Sequence, residues 1–141
     1  MLDCMFKGVC VETKKWIYGD HIRDKYGRHF IGTIDFEEVD NKLLVLNPFT
    51  LKEVYVDTIS KNTEIQDIYE RYVYENDILQ LNSDLVAELW IPEPSCVVVY
   101  QNGNFFTNHG TQLSSLNSLL DEDGILRGQV INTIFENRCF C

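Results

Sequence analysis

Hydrophobic and polar residues alternate along this chain in short runs, a pattern typical of β-strands. Residues 5–11 and 16–22 are two such runs, and the polar residues 12–15 between them predict a hairpin. Further N-terminal strands are predicted at 29–34, 43–46 and 51–56. The acidic residues 36–41 are expected to form a loop, and Asn47-Pro48 to end a strand, because proline lacks the donor that a ladder needs.

The C-terminal half shows the same pattern. Strands are predicted at 78–81, 85–91, 96–100, from Phe105 onward, and within 125–135. Asn102-Gly103 is a strong hairpin signal, and Asp121-Glu122-Asp123-Gly124 is expected to be an exposed turn. This acidic turn weakly resembles a calcium-binding loop, but calcium binding is not expected because the required downstream glutamate is missing.

Two segments have helical spacing. Thr63 and Gln66 fit a capping box, which together with apolar spacing predicts a short helix over 63–70. Leucines at 113, 116, 119 and 120 predict a second short helix over 111–120. We therefore predict a mainly β protein with one or two short helices, a β-rich N-terminal part at 1–62 and a small barrel at 63–141.

The composition fits a folded intracellular protein. With 141 residues, 45% of them hydrophobic, the chain can bury a core. It contains no apolar run of the length that spans a bilayer, and its first residues are not expected to act as a signal peptide. We expect a soluble protein of the bacterial cytoplasm, without membrane contact.

The charge is unevenly distributed. The net charge is −10, and residues 57–141 contain 4 basic and 13 acidic residues. Such a segment repels a phosphate backbone, so direct binding of nucleic acid is not expected. An acidic face is suited to a basic partner, although it also serves solubility alone.

The cysteines show no disulfide or metal spacing. They are expected to be reduced thiols, and no metal or cofactor is expected. Zinc binding by Cys4/Cys10 together with Cys139/Cys141 is an alternative. It has weak support, because five residues separate the first pair and one residue separates the second. The five cysteines are Cys4, Cys10, Cys96, Cys139 and Cys141.

Three segments together carry a family resemblance. They are Lys-Trp-Ile-Tyr-Gly at 15–19, the stretch 57–79 ending in Tyr-Glu-Asn-Asp-Ile-Leu, and Val-Ile-Asn-Thr-Ile-Phe-Glu-Asn at 130–137. In this order they resemble the YopX-like family of uncharacterised phage and prophage proteins. The resemblance implies an SH3-like β-barrel in the second half, a smaller β-rich N-terminal part, and no assigned catalytic residues.

The chain departs from the family pattern at glycines. Asparagine, present at 76 and 132, still accepts the left-handed backbone that glycine favours. The glycines of the family are replaced here by Ser60, Glu64, Glu70, Asn76 and Asn132.

The most prominent polar cluster is Tyr74-Glu75-Asn76-Asp77. One interpretation is that Glu75 and Asp77 form a pair of carboxylates for acid–base chemistry. We favour the other, in which the cluster is a structural turn fixed by Asp77. His21, His29 and His109 are candidate bases or ligands without a carboxylate at a recognised spacing. No catalytic residue is therefore assigned.

Aromatic residues supply a candidate binding surface. They either line a peptide groove or belong to the core, since alternate strand residues point inward. These candidates are Trp16, Tyr18, Trp90, Tyr100, Phe105 and Phe106.

Three hypotheses of function follow. The first is a non-catalytic phage or prophage module that binds a protein partner or associates with itself, for instance through an edge strand. The second is an acidic inhibitor that imitates nucleic acid and occupies a basic site of a host protein. The third, an enzyme, requires a pocket that joins a His or Cys to a carboxylate.

Overall fold

The computed structural model describes residues 5–40 and 42–136, without the side chains of residues 33–39 and 42–49. The predicted mainly β class is confirmed, with antiparallel strands and one short α-helix in the described residues. The chain forms two compact units that divide between Lys61 and Asn62, which we call unit 1 and unit 2. No helix in the described residues is long and apolar enough to cross a membrane.

Unit 1 is an antiparallel arrangement of four strands in chain order: β1 (Phe6–Val9), β2 (Trp16–Arg23), β3 (His29–Val39) and β4 (Lys42–Glu53). The predicted hairpin at 12–15 is confirmed. The first two residues of β5 (Ser60–Gln66) pair with the other edge of β1. Two backbone hydrogen bonds also join the chain around the end of β1 to the chain around the end of β4, from Val11 N to Glu53 O and from Tyr55 N to Val9 O.

Among the described side chains of unit 1, four apolar ones are buried: Val9, Cys10, Ile31 and Val54. Beside them lies Thr58, whose hydroxyl accepts a hydrogen bond from Val9 N at 2.9 Å and donates one to Tyr55 O at 2.6 Å. Thr58 follows β4 in a 3-10 helix (Val56–Thr58). The hydroxyl of Thr58 is thus hydrogen-bonded within the protein, although its side chain is buried away from water.

Unit 2 contains the remainder of β5, paired with β6 (Tyr72–Tyr74), and a five-stranded antiparallel sheet of order β10-β9-β8-β7-β11. These strands are β7 (Asp77–Leu81), β8 (Ser95–Gln101), β9 (Asn104–Asn108), β10 (Leu113–Ser115) and β11 (Gly128–Thr133). The expected barrel does not close within the described residues. The core consists of Val73, Leu79, Leu81, Leu85, Ile91, Cys96, Val98, Leu116, Leu119 and Leu126.

The predicted helix at 63–70 is wrong, because β5 continues to Gln66. The hydroxyl of Thr63, expected to cap a helix, donates across the sheet to Val73 O at 2.7 Å. The amide of Glu64 donates to Asn62 Oδ1 at 2.7 Å, and Glu64 adopts a φ of +64°. The hydrogen bond to Val73 on β6 therefore holds Thr63 in a strand and not at the start of a helix.

The predicted strand at 85–91 is also wrong, because the helix α1 (Ser83–Glu88) occupies its start. The polar residues Asn82-Ser83-Asp84, which we expected to separate two strands, are residues that favour helix starts. Leu85 is 1% exposed and anchors the helix on the core. Asp84 and Glu88, one turn apart, both accept hydrogen bonds from Arg127, at 3.0 and 2.9 Å.

Two loop predictions and one helix prediction also need correction. The expected acidic loop at 36–41 is strand β3 as far as Val39, and Asn41 lies outside the described residues. Strand β4 passes through Pro48, because the register shifts there and leaves the proline between the pairs Asp35–Asn47 and Thr33–Thr50. At 111–120, β10 is followed by a 3-10 helix (Leu116–Leu119) instead of one helix.

Three loops share one construction. They span 24–28, 67–71 and 121–125, and each begins with an aspartate. The aspartate N–H donates to the fifth residue's carbonyl, and its Oδ1 accepts from the amides of the third and fifth residues. The fourth residue is left-handed in each loop, as in hairpins with a bulge. These residues are Gly27 (φ +81°), Glu70 (φ +63°) and Gly124 (φ +78°).

The loop at 67–71 differs from the other two in its connection to a distant strand. Asp67 is 1% exposed, and its Oδ2 accepts from Val130 N of β11 at 2.9 Å. Arg71 pairs with Asp67 at 2.9 Å and donates to Val130 O at 2.7 Å. Burial raises the pKa of Asp67, but the hydrogen bonds from Val130, Arg71 and Tyr69 outweigh it and hold that pKa below its ordinary value.

We expect Asp67→Ala to lower the free energy of unfolding by about 3 kcal/mol, because three backbone amides and the Arg71 guanidinium lose their acceptor. Asp121→Ala is the matched control: it removes the same loop aspartate within unit 2, but from an exposed position, and should cost about 1 kcal/mol. Urea unfolding followed by circular dichroism measures both. If both variants lose the same free energy of unfolding, the hydrogen bond from Val130 of β11 to Asp67 adds no stability beyond that of the loop.

Replacing the left-handed Glu70 with glycine should leave stability unchanged or raise it by up to about 1 kcal/mol. The relief of backbone strain offsets the greater freedom of glycine in the unfolded chain. Glu93→Gly, at an exposed position outside the left-handed region, should instead lower the melting temperature. A similar loss in both variants would show that Glu70 carries no strain.

Candidate functional site

The predicted aromatic residues are divided between the two units, and those of unit 2 differ in exposure. Trp16 and Tyr18 lie on β2 of unit 1, with Trp16 partly buried and Tyr18 46% exposed. In unit 2, Tyr100 and Phe105 pair across β8 and β9, with ring centroids 4.9 Å apart. Phe106, the next residue of β9, is partly buried opposite Val99.

Trp90 differs from the other aromatics in exposure and backbone geometry. Its side chain is 89% exposed and its φ is +54°. It lies before β8, whereas Tyr100 lies near the far end of that strand, roughly 17 Å along at the usual rise per residue. Trp90 therefore forms a site apart from the Tyr100–Phe105 pair.

The end of α1 explains the conformation of Trp90. The helix is capped by Leu89, and Ile91 N donates back to Val86 O at 3.0 Å, as in a Schellman motif. In that motif the residue after the cap is left-handed and usually glycine. Here the residue is tryptophan, a bulky side chain for which a positive φ is a true outlier.

The surroundings of Trp90 combine an apolar surface with negative charge. Leu89 is 38% exposed, while Ile91 is 5% exposed and fixes the segment to the core. Glu93 is exposed on one side, and on the other side Glu88 is exposed but paired with Arg127. We call Leu89 and Trp90 together the Leu89–Trp90 knob.

A small groove in unit 2 is lined in part by Phe105. It has a volume of about 120 Å³ and lies between the second half of β5, the β8–β9 turn and the end of β10 with the residues after it. This volume is enough for one side chain, but below the usual range of small-molecule pockets. Its lining residues include Thr63, Ile65, Asn104, Phe105, Ser115 and Leu116.

The candidate histidines lie in two places. His21 and His29 of unit 1 contact each other, with Nε2 and Nδ1 2.8 Å apart. His109 of unit 2 is 4% exposed, and its Nε2 lies 2.8 Å from Thr107 Oγ1. Its Nδ1 makes no hydrogen bond of normal geometry. Burial lowers the pKa of His109, an effect that the nearby Glu93 carbonyl partly offsets.

The two described cysteines differ in their chemistry. Burial raises the pKa of Cys96 to about 12, so this thiol stays protonated although it lies next to Thr107. For Cys10, burial raises the pKa, but hydrogen bonds from Thr13 and Glu12 and the Lys52 charge lower it below its ordinary value. Cys10 lines an open groove of unit 1. Cys4, Cys139 and Cys141 lie outside the described residues.

The carboxylates considered for acid–base chemistry or calcium take part in turns. Asp77 is 1% exposed, and its Oδ2 accepts from Tyr74 N at 2.8 Å. Asn76 between them has a φ of +71°, and Glu75 is partly buried. Asp121 Oδ1 accepts from two amides of its own turn. Within residues 5–40 and 42–136, no three His, Cys, Asp or Glu side chains are grouped as metal ligands.

Sequence reasoning selected Trp90 as an aromatic but missed its conformation. The helix α1 that determines this conformation was predicted as a strand, so the position after its cap was not recognised. The signal was present in Asn82-Ser83-Asp84, since a helix that starts there ends near Leu89. No protein-family model, curated protein or solved structure matches this chain.

In native protein at pH 7.5, iodoacetamide should label Cys96 far more slowly than in urea, because burial keeps this thiol protonated and out of reach of the reagent. Peptide mass spectrometry assigns the labelled cysteine, and labelling in urea provides the fully accessible control. Native labelling of Cys96 at its urea rate would contradict burial of this thiol.

Proposed function

We propose that this chain is a non-catalytic protein-interaction module, encoded by a phage or prophage and active in the cytoplasm of the host cell. The Leu89–Trp90 knob of unit 2 forms its principal contact with a protein partner. The observation that carries this proposal is the backbone of Trp90.

An exposed tryptophan at a left-handed position has two costs for the folded chain. The backbone strain costs about 1–2 kcal/mol, and the indole leaves a large apolar surface in water. Glycine would avoid both costs at this position. Tryptophan is the side chain most enriched among the residues that dominate protein–protein binding energy. Local strain that the fold retains is a reason to infer function.

The polar groups considered for catalysis have structural surroundings that support the same proposal. Asp67 and Asp77 are buried acceptors of backbone amides. Cys96 and His109 lie on either side of the buried Thr107 hydroxyl, and burial disfavours the charged form of each. A thiol with a pKa of about 12 is a poor nucleophile at neutral pH.

Backbone conformation supports the YopX-like resemblance. Three of the five positions at which the family has glycine are left-handed here, although none of them is glycine. A fourth, Asn132, lies beside the bulge where β11 pairs with β7. A backbone that requires glycine-like angles at the positions of family glycines is what a shared fold predicts. The three left-handed residues are Glu64, Glu70 and Asn76.

One observation favours the acidic inhibitor as a second candidate. Of the 13 acidic residues at 57–141, ten are exposed. Such a surface attracts a basic protein through contacts that salt screens. An apolar contact through the knob is much less sensitive to salt, so the two candidates are separable by experiment.

Trp90→Gly should abolish partner binding and leave the melting temperature unchanged or higher, because it removes the indole and the strain together. Tagged wild type and variant are used to capture proteins from host lysate at 0.1 and 1 M salt, and a retained protein is then purified and titrated directly. Tyr69→Ala, which removes another exposed aromatic of unit 2, is the matched control.

A partner that wild type and Tyr69→Ala bind at both salt concentrations, and that Trp90→Gly does not bind, would support the knob. A partner bound by Trp90→Gly as tightly as by wild type would refute it. Loss of binding only at high salt, with no effect of Trp90→Gly, would favour the acidic inhibitor.

A further inference from the structure

The two histidines of unit 1 form an unusually well-aligned pair. His21 Nε2 and His29 Nδ1 are 2.8 Å apart, and the ring centroids are 5.0 Å apart with 16° between the ring planes. This centroid separation is close to the nitrogen–nitrogen distance plus the two ring radii. The rings therefore lie end to end in nearly one plane, which is the geometry of a linear N–H···N hydrogen bond.

This geometry requires a particular protonation state. One of the two facing nitrogens donates a hydrogen and the other accepts it with its lone pair. A pair with both rings protonated has hydrogens on both facing nitrogens and cannot form this bond. The contact therefore exists with neither ring charged or with one ring charged, and is lost when both are charged.

The strand register places further positive charge near the pair. The pair joins β2 to β3 at the end of the hairpin where Arg23 lies opposite His29. On the same face, Lys52 of β4 lies opposite Ile31, and Lys61 of β5 lies opposite Phe6 of β1, whose ring contacts His21. Among the residues whose side chains the structure describes, the carboxylates of these strands and their loop are placed elsewhere. Asp20 and Glu53 alternate to the other face, and Asp24 in the hairpin loop pairs with Arg28.

We propose that the His21–His29 pair is a proton-operated latch on the β2–β3 hairpin of unit 1. It holds the hairpin end closed near neutral pH and opens when the second ring takes up a proton. This inference goes beyond the proposed function and does not depend on it. The opening exposes the hairpin end of unit 1, while unit 2 retains its own core.

The direction of the pH effect follows from the surroundings. Burial and the charge of His29 lower the pKa of His21. A histidine with a lowered pKa in the folded state stabilises that state above its ordinary pKa, and the contribution is lost as the pH falls through the folded pKa. Unit 1 should therefore weaken below about pH 6.5. The Asp24–Arg28 pair remains intact in this range, because the pKa of Asp24 is itself below its ordinary value.

The test is amide hydrogen exchange of the full chain between pH 7.5 and 5.5, corrected for the intrinsic effect of pH. The exchange protection of residues 16–31 should fall by up to about tenfold per pH unit, the limit for uptake of one proton. In the double variant His21→Gln/His29→Gln this fall should disappear. His109→Gln, which removes the described histidine of unit 2, should retain the full response of unit 1.

The titration of the imidazoles in wild-type protein by NMR tests the proposal without relying on a variant that folds. Coupled rings titrate in two separated steps that both rings report, whereas independent rings titrate in single ordinary transitions. Two separated steps together with a pH-dependent loss of protection support the latch. Independent titration, protection of 16–31 that does not change with pH, or an unchanged response in the folded double variant overturns it.

Discussion

The folded state of unit 2 depends on the buried carboxylate of Asp67. Its oxygens accept hydrogen bonds from its own loop, from Arg71 and from Val130, a residue 63 positions further along the chain. A buried charge is tolerated only when hydrogen bonds replace its lost hydration, and here amides of two elements supply them. The same interaction thus shapes the β5–β6 loop and attaches β11 to it.

Much of this fold could be predicted from the sequence, because its hairpins rest on local chemistry. Asn102-Gly103 forms the expected turn, with φ values of +51° and +82°, and joins two strands that alternation alone had indicated. Predictions failed where a distant partner decides the structure. Thr63 fits a helix cap by spacing, but its hydroxyl bonds to Val73 O, and no local pattern reveals that acceptor.

The candidate site was predictable to a similar degree. Trp90 could be selected as an aromatic, but its left-handed backbone follows from the end of α1 and from the bond between Ile91 N and Val86 O. Sequence patterns do not give φ, and an apolar run such as 85–91 fits a short strand as well as a helix. The His21–His29 contact depends on the register of β2 and β3, which the sequence leaves open.

The two tryptophans of this chain are divided between the two units, Trp16 in unit 1 and Trp90 in unit 2. Trp16 is partly buried, with the Lys7 ammonium 4.8 Å from its ring, whereas Trp90 is almost as exposed as in an unfolded chain. Denaturation therefore changes the environment of Trp16 far more than that of Trp90. The intrinsic fluorescence of the native protein is consequently a reporter of unit 1, and a fluorescence melt leaves the unfolding of unit 2 largely unseen.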